Sequence, residues 1–88
     1  MNRFETLCEY YLGKNVYETE QSFVNDKFAT EQEKSAMKLI LRNNLLTASL
    51  PELILAKKMV EYFIPRNHLS SLANQSLLER IQARIQNF

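Results

Sequence analysis

Glycine occurs only once in this chain, and proline only twice. The tight turns that join neighbouring β-strands depend on these two residues, because turns need backbone conformations that other side chains avoid. The remaining sequence is rich in leucine, glutamate, lysine, glutamine and alanine, which favour helices. We therefore predict an all-α protein.

The length of the chain limits it to one domain. Its 88 residues can form one core and are too few for two. With 45% hydrophobic and 24% charged residues, the composition is that of a folded protein and differs from that of a disordered chain. We predict a single helical domain over residues 1–88. A core of this size gives modest stability, so self-association would usefully cover the remaining apolar surface.

A four-residue pattern marks the start of several predicted helices. It consists of Ser or Thr followed three residues later by Glu, whose side chains bond the free amides at a helix N-terminus from both sides. The pattern begins at Thr30, Ser49 and Ser76, and a weaker version begins at Asn15. These positions predict helix boundaries.

Together with the apolar periodicity, these boundaries divide the chain into five segments. We predict helices at about 3–12, 16–28, 31–46 and 50–63, and a last helix that begins at His68 or Ser76 and ends at Phe88. The sequence does not decide whether this last helix is broken near Asn74. The segment 50–64 is apolar on nearly all sides and should be the central helix, which Pro65 ends. Short connections favour a roughly antiparallel bundle of four to five helices.

The residues that could perform catalysis are few. Cys8 is the only cysteine and His68 the only histidine, and nothing in their spacing brings them together. Side-chain catalysis needs two or three convergent polar groups, and a structural zinc site needs four ligands. A glycine-rich phosphate loop cannot form with one glycine. We predict that the chain is not an enzyme and uses no metal or cofactor.

Cys8 is expected to be a small buried residue of the first helix. Its neighbours Leu7 and Leu12 are apolar, and the charge of Glu9 would raise a thiol pKa. A single cysteine excludes an internal disulfide framework and fits a reducing compartment. The N-terminal residues lack the apolar run of a signal peptide, and no apolar stretch is long enough to span a membrane. We therefore expect a cytoplasmic protein with no membrane partner.

The net charge of +1 is unevenly distributed. Residues 1–33 hold seven acidic and three basic residues, whereas residues 34–88 hold three acidic and eight basic ones. In one interpretation, the acidic helices neutralise the basic ones within a protomer or across a subunit interface. In the other, a basic patch binds a polyanion through residues of the third and fourth helices, namely Lys34, Lys38, Arg42, Lys57 and Lys58. We favour the first, because nucleic-acid-binding domains usually carry a larger positive charge.

Two pairs of apolar residues predict a protein interface. Tyr10 and Tyr11 are adjacent, so on a helix they point about 100° apart and at most one of them faces the core. An exposed tyrosine is a common interface anchor. The apolar stripe of the last helix continues through Ile85 to Phe88, and a terminal apolar residue is best buried against another chain.

These observations give two hypotheses for function. The leading one is a small non-enzymatic protein that acts by protein–protein contact, as a regulator, inhibitor or adaptor of a larger partner, and that self-associates into a homo-oligomer. A phage or mobile-element accessory protein is one such regulator, and the composition, rich in Asn, Lys, Ile, Phe and Tyr, is typical of AT-rich genomes. The second hypothesis is binding of nucleic acid or a phosphorylated nucleotide through the basic stripe of the third helix (Lys34, Lys38 and Arg42) and an exposed tyrosine.

Overall fold

The described part of the chain is helical. The structure, a computed structural model, describes residues 3–12, 16–42, 44–66 and 73–88. These residues form five α-helices, which are α1 (Arg3–Leu12), α2 (Val16–Val24), α3 (Glu31–Arg42), α4 (Leu50–Phe63) and α5 (Gln75–Gln86). A short 3-10 turn, Ile64–Arg66, follows α4, and none of the described residues lies in a strand. The predicted all-α bundle is confirmed.

The central helix is α4, as predicted for the segment 50–64. It packs against α1, α3 and α5, while α2 packs against α3. Its buried face consists of five apolar residues, Leu53, Ala56, Met59, Val60 and Phe63. Because these side chains are completely removed from water, α4 makes a large contribution to the hydrophobic stabilisation of this small fold.

Local sequence signals fix both ends of α4. The Ser49 hydroxyl accepts a hydrogen bond from the Glu52 amide at 3.4 Å and donates one to the Glu52 carboxylate at 2.9 Å. Pro51 lies in the first turn, where a missing amide costs no hydrogen bond. At the other end, α4 stops at Phe63, and Pro65 lies in the 3-10 turn that follows. The predicted bounds of this helix are confirmed.

The second helix ends earlier than predicted. It stops at Val24, whereas the sequence predicted an end at 28. The Asp26 carboxylate accepts a hydrogen bond from the Phe28 amide at 2.7 Å, and the Asp26 amide bonds to the Phe23 carbonyl at 3.2 Å. Short polar side chains of this kind give the backbone an alternative to helical hydrogen bonds. Because of this turn, α2 ends before Phe28.

The third helix also ends early, at Arg42 and not at 46 as predicted. The side chain of Asn44 accepts a hydrogen bond from the Leu46 amide at 3.2 Å, which again replaces a helical bond. After this turn Leu45 is buried, whereas Leu46 is 79% exposed. The early helix end thus places a large apolar side chain on the surface.

The last helix begins at Gln75, and the predicted break near Asn74 is its start. The Asn74 side chain caps the helix by accepting a hydrogen bond from the Leu77 amide at 2.8 Å. The start at Gln75 agrees with the prediction of a start at about Ser76, although the capping residue is Asn74 and Ser76 lies in the first turn. Asn and Ser are about equally good N-cap residues, so residue type alone does not decide between Asn74 and Ser76 as the cap. His68, the other predicted start, lies outside the described residues.

A buried carboxylate joins three parts of the N-terminal half. Glu33 is 2% exposed, and its carboxylate accepts hydrogen bonds from the Thr30 amide at 2.8 Å and from the Arg3 guanidinium at 2.5 Å. The Thr30 hydroxyl in turn accepts from the Glu33 amide at 3.1 Å, which confirms the predicted helix start at Thr30. Arg3 also donates to the Phe28 carbonyl at 3.2 Å and lies over the Phe28 ring. These bonds connect α1, the α2–α3 connection and α3.

The ionisation of Glu33 is linked to folding. Burial alone would raise the pKa of Glu33, but the hydrogen bonds from Arg3 and Thr30 outweigh burial and lower it. A carboxyl group whose pKa is lowered by folding stabilises the native state above its unfolded pKa, and this stabilisation is lost as the pH falls through the folded pKa. The Glu33 cluster should therefore weaken in acid.

We expect Glu33→Gln to lower the free energy of unfolding at neutral pH by about 1 to 3 kcal/mol, because the bond from Arg3 loses its charged acceptor. Below about pH 4, where an ordinary glutamate becomes protonated, the wild type should lose more stability than the variant. Urea unfolding at neutral and acidic pH measures both effects. The matched control is Glu31→Gln on the same helix, whose side chain is almost fully exposed. Equal losses in the two variants would contradict the role of Glu33.

We expect Ile81→Val to lower the free energy of unfolding by about 0.5 to 1.5 kcal/mol, because a buried methyl group is lost and a small cavity remains. Ile81 is 0% exposed, whereas Ile54 is 42% exposed. The same substitution at Ile54 should change stability by less than about 0.5 kcal/mol. Urea unfolding of both variants tests the assignment of the core, and a larger loss at Ile54 would show it to be wrong.

Candidate functional site

Tyr10 projects from α1 on the side away from the core. Leu7 and Cys8 face inward and are buried, whereas Tyr10 is 62% exposed. This fits the expectation that one of the two adjacent tyrosines points outward. The side chain of Tyr11, the other predicted interface residue of this helix, lies outside the described part of the structure.

Tyr10 and Phe28 line a cleft between α1 and the end of α2. The cleft has a volume of about 520 Å³, and Leu7 contributes to its apolar lining. Its polar lining consists of Thr6, Ser22, Asn25, Asp26 and Lys27. Two aromatic rings beside polar side chains resemble the composition of protein interfaces, in which aromatic anchors are bordered by polar groups.

Phe28 was not among the predicted interface residues. It was predicted to lie within the second helix, but the turn at Asp26 leaves it half exposed. The Arg3 guanidinium lies over its ring, 5.5 Å from the ring centre. The adjacent polar residues Asn25 and Asp26 were the signal that could have revealed this turn.

The two predicted interface residues of the last helix differ in exposure. Ile85 is partly buried and packs against the core, while Phe88 is 63% exposed beyond the end of α5. Ile85 lines a groove between α4 and α5, together with Ile54 and Lys57. Tyr10 and Ile85 therefore line different clefts, and the predicted interface residues do not form one continuous site.

A third concave surface lies between the α3–α4 connection and α5. This groove, of about 420 Å³, contains the exposed Leu46 and two arginines of the last helix, Arg80 and Arg84. Arg84 donates a hydrogen bond to the Leu46 carbonyl at 3.2 Å. This groove was not predicted from the sequence, because it depends on the early end of α3 and on contacts between distant parts of the chain.

The predicted anion-binding residues lie on several surfaces. On α3, Lys38 and Arg42 are exposed, whereas Lys34 is partly buried and lies 3.5 Å from the Glu31 carboxylate. On α4, Lys57 lies 3.5 Å from the Glu61 carboxylate and lines the groove with Ile85.

Lys58 lines yet another cleft, with Phe4 and Glu5 of α1. The two α4 lysines thus face α5 and α1 respectively, so they do not form a shared patch with each other.

A contact of the kind expected from the charge distribution joins α1 to the end of α4. Glu9 accepts a hydrogen bond from the Tyr62 hydroxyl, and its carboxylate lies 3.9 Å from the Arg66 guanidinium. Arg66 also stacks on the Tyr62 ring at 3.7 Å. The bond to Glu9 and burial raise the pKa of Tyr62. An acidic residue of the first third is thereby paired with a basic residue of the later part.

Of the two candidate catalytic residues, the structure describes Cys8, which is buried. Burial, followed by the negative charge of Glu33, raises the pKa of Cys8 to about 12. His68 lies outside the described residues. Within the described ranges, no three histidine, cysteine or acidic side chains are grouped so that they could hold a metal ion. In the same ranges, no helix has the length and apolar character needed to traverse a bilayer.

Comparisons with known proteins gave no match, whether to a protein-family model, to a curated protein or to a solved structure. The inferences that follow therefore depend on the geometry and chemistry of this chain alone.

We expect the Cys8 thiol to react with a thiol reagent at mildly alkaline pH more than about a hundredfold more slowly in the folded protein than in urea, because the folded thiol is buried and almost entirely protonated. The absorbance of a chromogenic disulfide reagent follows the reaction. The urea-unfolded protein is the control, since its cysteine has an ordinary pKa. Equal rates in the two conditions would contradict the burial of Cys8.

Proposed function

We propose that this protein acts by protein–protein contact, as a small regulator, inhibitor or adaptor, and that it associates with a second copy of itself or with a larger partner. The observation that carries the proposal is a contrast in burial. The core around α4 is closed to water, yet Tyr10, Leu46 and Phe88 are each more than half exposed. Exposed large apolar side chains beside concave surfaces are typical of interaction sites.

The Tyr10–Phe28 cleft is the principal surface in this proposal. Tyr10 carries a polar hydroxyl group on its ring, and the Phe28 ring lies against the Arg3 guanidinium. Aromatic side chains bury a large area on binding with little loss of conformational freedom. The neighbouring Ser22 and Asn25 can form hydrogen bonds with a partner at the edge of the cleft. Phe28 is held in place by Arg3, so the cleft is largely formed before a partner binds.

The proposal assigns no catalytic step to the chain. Its lone thiol is buried among apolar residues, where it cannot attack a substrate. A role as a phage or mobile-element accessory protein fits a small binding protein of this composition. Regulators of that kind act by covering a surface of their target.

Binding of nucleic acid through α3 is the second candidate. The exposed side chains of Lys38 and Arg42 favour it, since they lie four residues apart on one side of the helix. The pairing of Lys34 with Glu31 weakens it, because a paired lysine has less positive charge to offer a phosphate. The two candidates differ in their dependence on salt.

We expect the protein to elute from size-exclusion chromatography with a light-scattering mass above that of its 10.4 kDa monomer, at both low and high salt. Apolar contacts are weakly screened, so added salt should change the mass little. Tyr10→Ala or Phe88→Ala should shift the mass toward the monomer. Tyr17→Ala is the matched control, because Tyr17 is also exposed but does not line the Tyr10–Phe28 cleft.

The same columns, run with added bulk nucleic acid, test the second candidate. A strictly monomeric protein that shifts with nucleic acid at low salt, and that loses this shift in Lys38→Glu or Arg42→Glu, would overturn the proposal of protein contact. An unchanged elution position with nucleic acid would remove the second candidate.

A further inference from the structure

We infer that the groove between the α3–α4 connection and α5 binds an acidic peptide segment of a partner protein, one that places a large apolar side chain next to carboxylates. The inference rests on the proposed function, protein contact, and adds the chemistry of one partner. We call this surface the Arg80–Arg84 groove. It is lined by Leu45, Leu46, Arg80, Ala83, Arg84 and Asn87.

Part of the lining of the groove is apolar and consists of Leu45, Leu46 and Ala83. Leu46 is the most exposed large apolar residue of the described chain, at 79%. The exposed face of Leu46 can pack against an apolar side chain of a partner. A Leu, Ile or Phe of a partner would be removed from water here, which favours binding by roughly 1.5 to 3 kcal/mol for full burial.

The charge of the groove is positive and is not neutralised by the described residues. Arg3 and Arg66 each lie within ion-pair distance of a carboxylate, on Glu33 and Glu9 respectively. Among the described side chains, no carboxylate lies within that distance of Arg80 or Arg84. Two adjacent turns of α5 therefore present guanidinium groups to whatever occupies the groove.

Arg84 shows that this part of the groove is incompletely bonded. One guanidinium nitrogen donates to the neutral carbonyl of Leu46, while the buried Nε has no hydrogen-bond partner among the described residues. Buried polar atoms are nearly always bonded, so such an exception points to a missing acceptor. A carboxylate is the acceptor that a guanidinium binds best, since its two oxygens match two parallel N–H groups.

The apolar lining favours an acidic peptide over nucleic acid. A polyphosphate backbone needs a track of several cations, whereas this groove offers two, placed beside Leu46 and Ala83. The amide side chain of Asn87 can bond to a peptide backbone. A second copy of this chain is a weaker fit, because its acidic first third would meet this groove head to tail, and such a contact builds rings or filaments instead of the commoner two-fold dimer.

The test selects short random peptides displayed on phage against the full chain. Enriched sequences should combine Asp or Glu with a neighbouring large apolar residue. The most enriched peptide is then synthesised with a fluorescein label and titrated by fluorescence anisotropy. Arg80→Gln and Arg84→Gln should each weaken binding about tenfold, the effect of losing one charged hydrogen bond. Leu46→Ser should weaken it several-fold, with little effect on folding because the side chain is exposed.

Lys38→Gln is the matched control, since it removes an exposed positive charge from α3 and should leave peptide affinity within about twofold. Unfolding midpoints by circular dichroism show which variants are folded. If Arg84→Gln does not fold, the exposed Arg80 gives the same test.

Three outcomes would overturn the inference. The first is enrichment without acidic residues. The second is binding that is unaffected by Arg80→Gln and Arg84→Gln but lost in Tyr10→Ala, which would leave the proposed function intact and move the site to the Tyr10–Phe28 cleft. The third is equal affinity for a charge-matched oligothymidylate with the same arginine dependence, which would assign the groove to phosphate.

Discussion

A carboxylate with only 2% of its surface exposed needs hydrogen-bond donors, and Glu33 takes them from two other parts of the chain. Burying an unpaired charge is costly, so these bonds stabilise the position of α1 against the start of α3. Arg3 brings α1 to α3, and Thr30 fixes the connection that leads into α3. Because Arg3 also holds Phe28, the Tyr10–Phe28 cleft owes its shape to a residue that does not line it.

The sequence predicted the helices best where the start and stop signals are local. The bounds of α4 follow from Ser49 and Pro65, and the start of α3 follows from Thr30. Predictions of the ends of α2 and α3 were wrong, because apolar periodicity does not register the hydrogen bonds of Asp26 and Asn44. Such side chains compete with helical hydrogen bonds only within one turn. Apolar periodicity is judged over about a dozen residues, so a single competing turn does not change the predicted helix.

The candidate surfaces depended on those same turns. Helix geometry predicted that one of the adjacent tyrosines is exposed, without saying that it is Tyr10, and the position of Phe88 at the end of the last helix predicted its exposure. Phe28 and Leu46 were missed, since both had been placed inside helices that end before them. The Arg80–Arg84 groove is a product of tertiary packing, as the bond from Arg84 to Leu46 joins residues 38 positions apart. No local pattern in one sequence carries that information.

The order of the helices along the chain determines which of the two principal surfaces is lost first when the native state partly opens. Helices α3, α4 and α5 are consecutive, and α3 and α5 each pack on α4, whereas α1 packs on α4 across a longer stretch of chain. Contacts between sequence neighbours form early, and those that close long loops form late. In a partial opening of the native state, α1 is therefore the element we expect to leave first. The Tyr10–Phe28 cleft would be lost with α1, while the Arg80–Arg84 groove would persist on α3, α4 and α5.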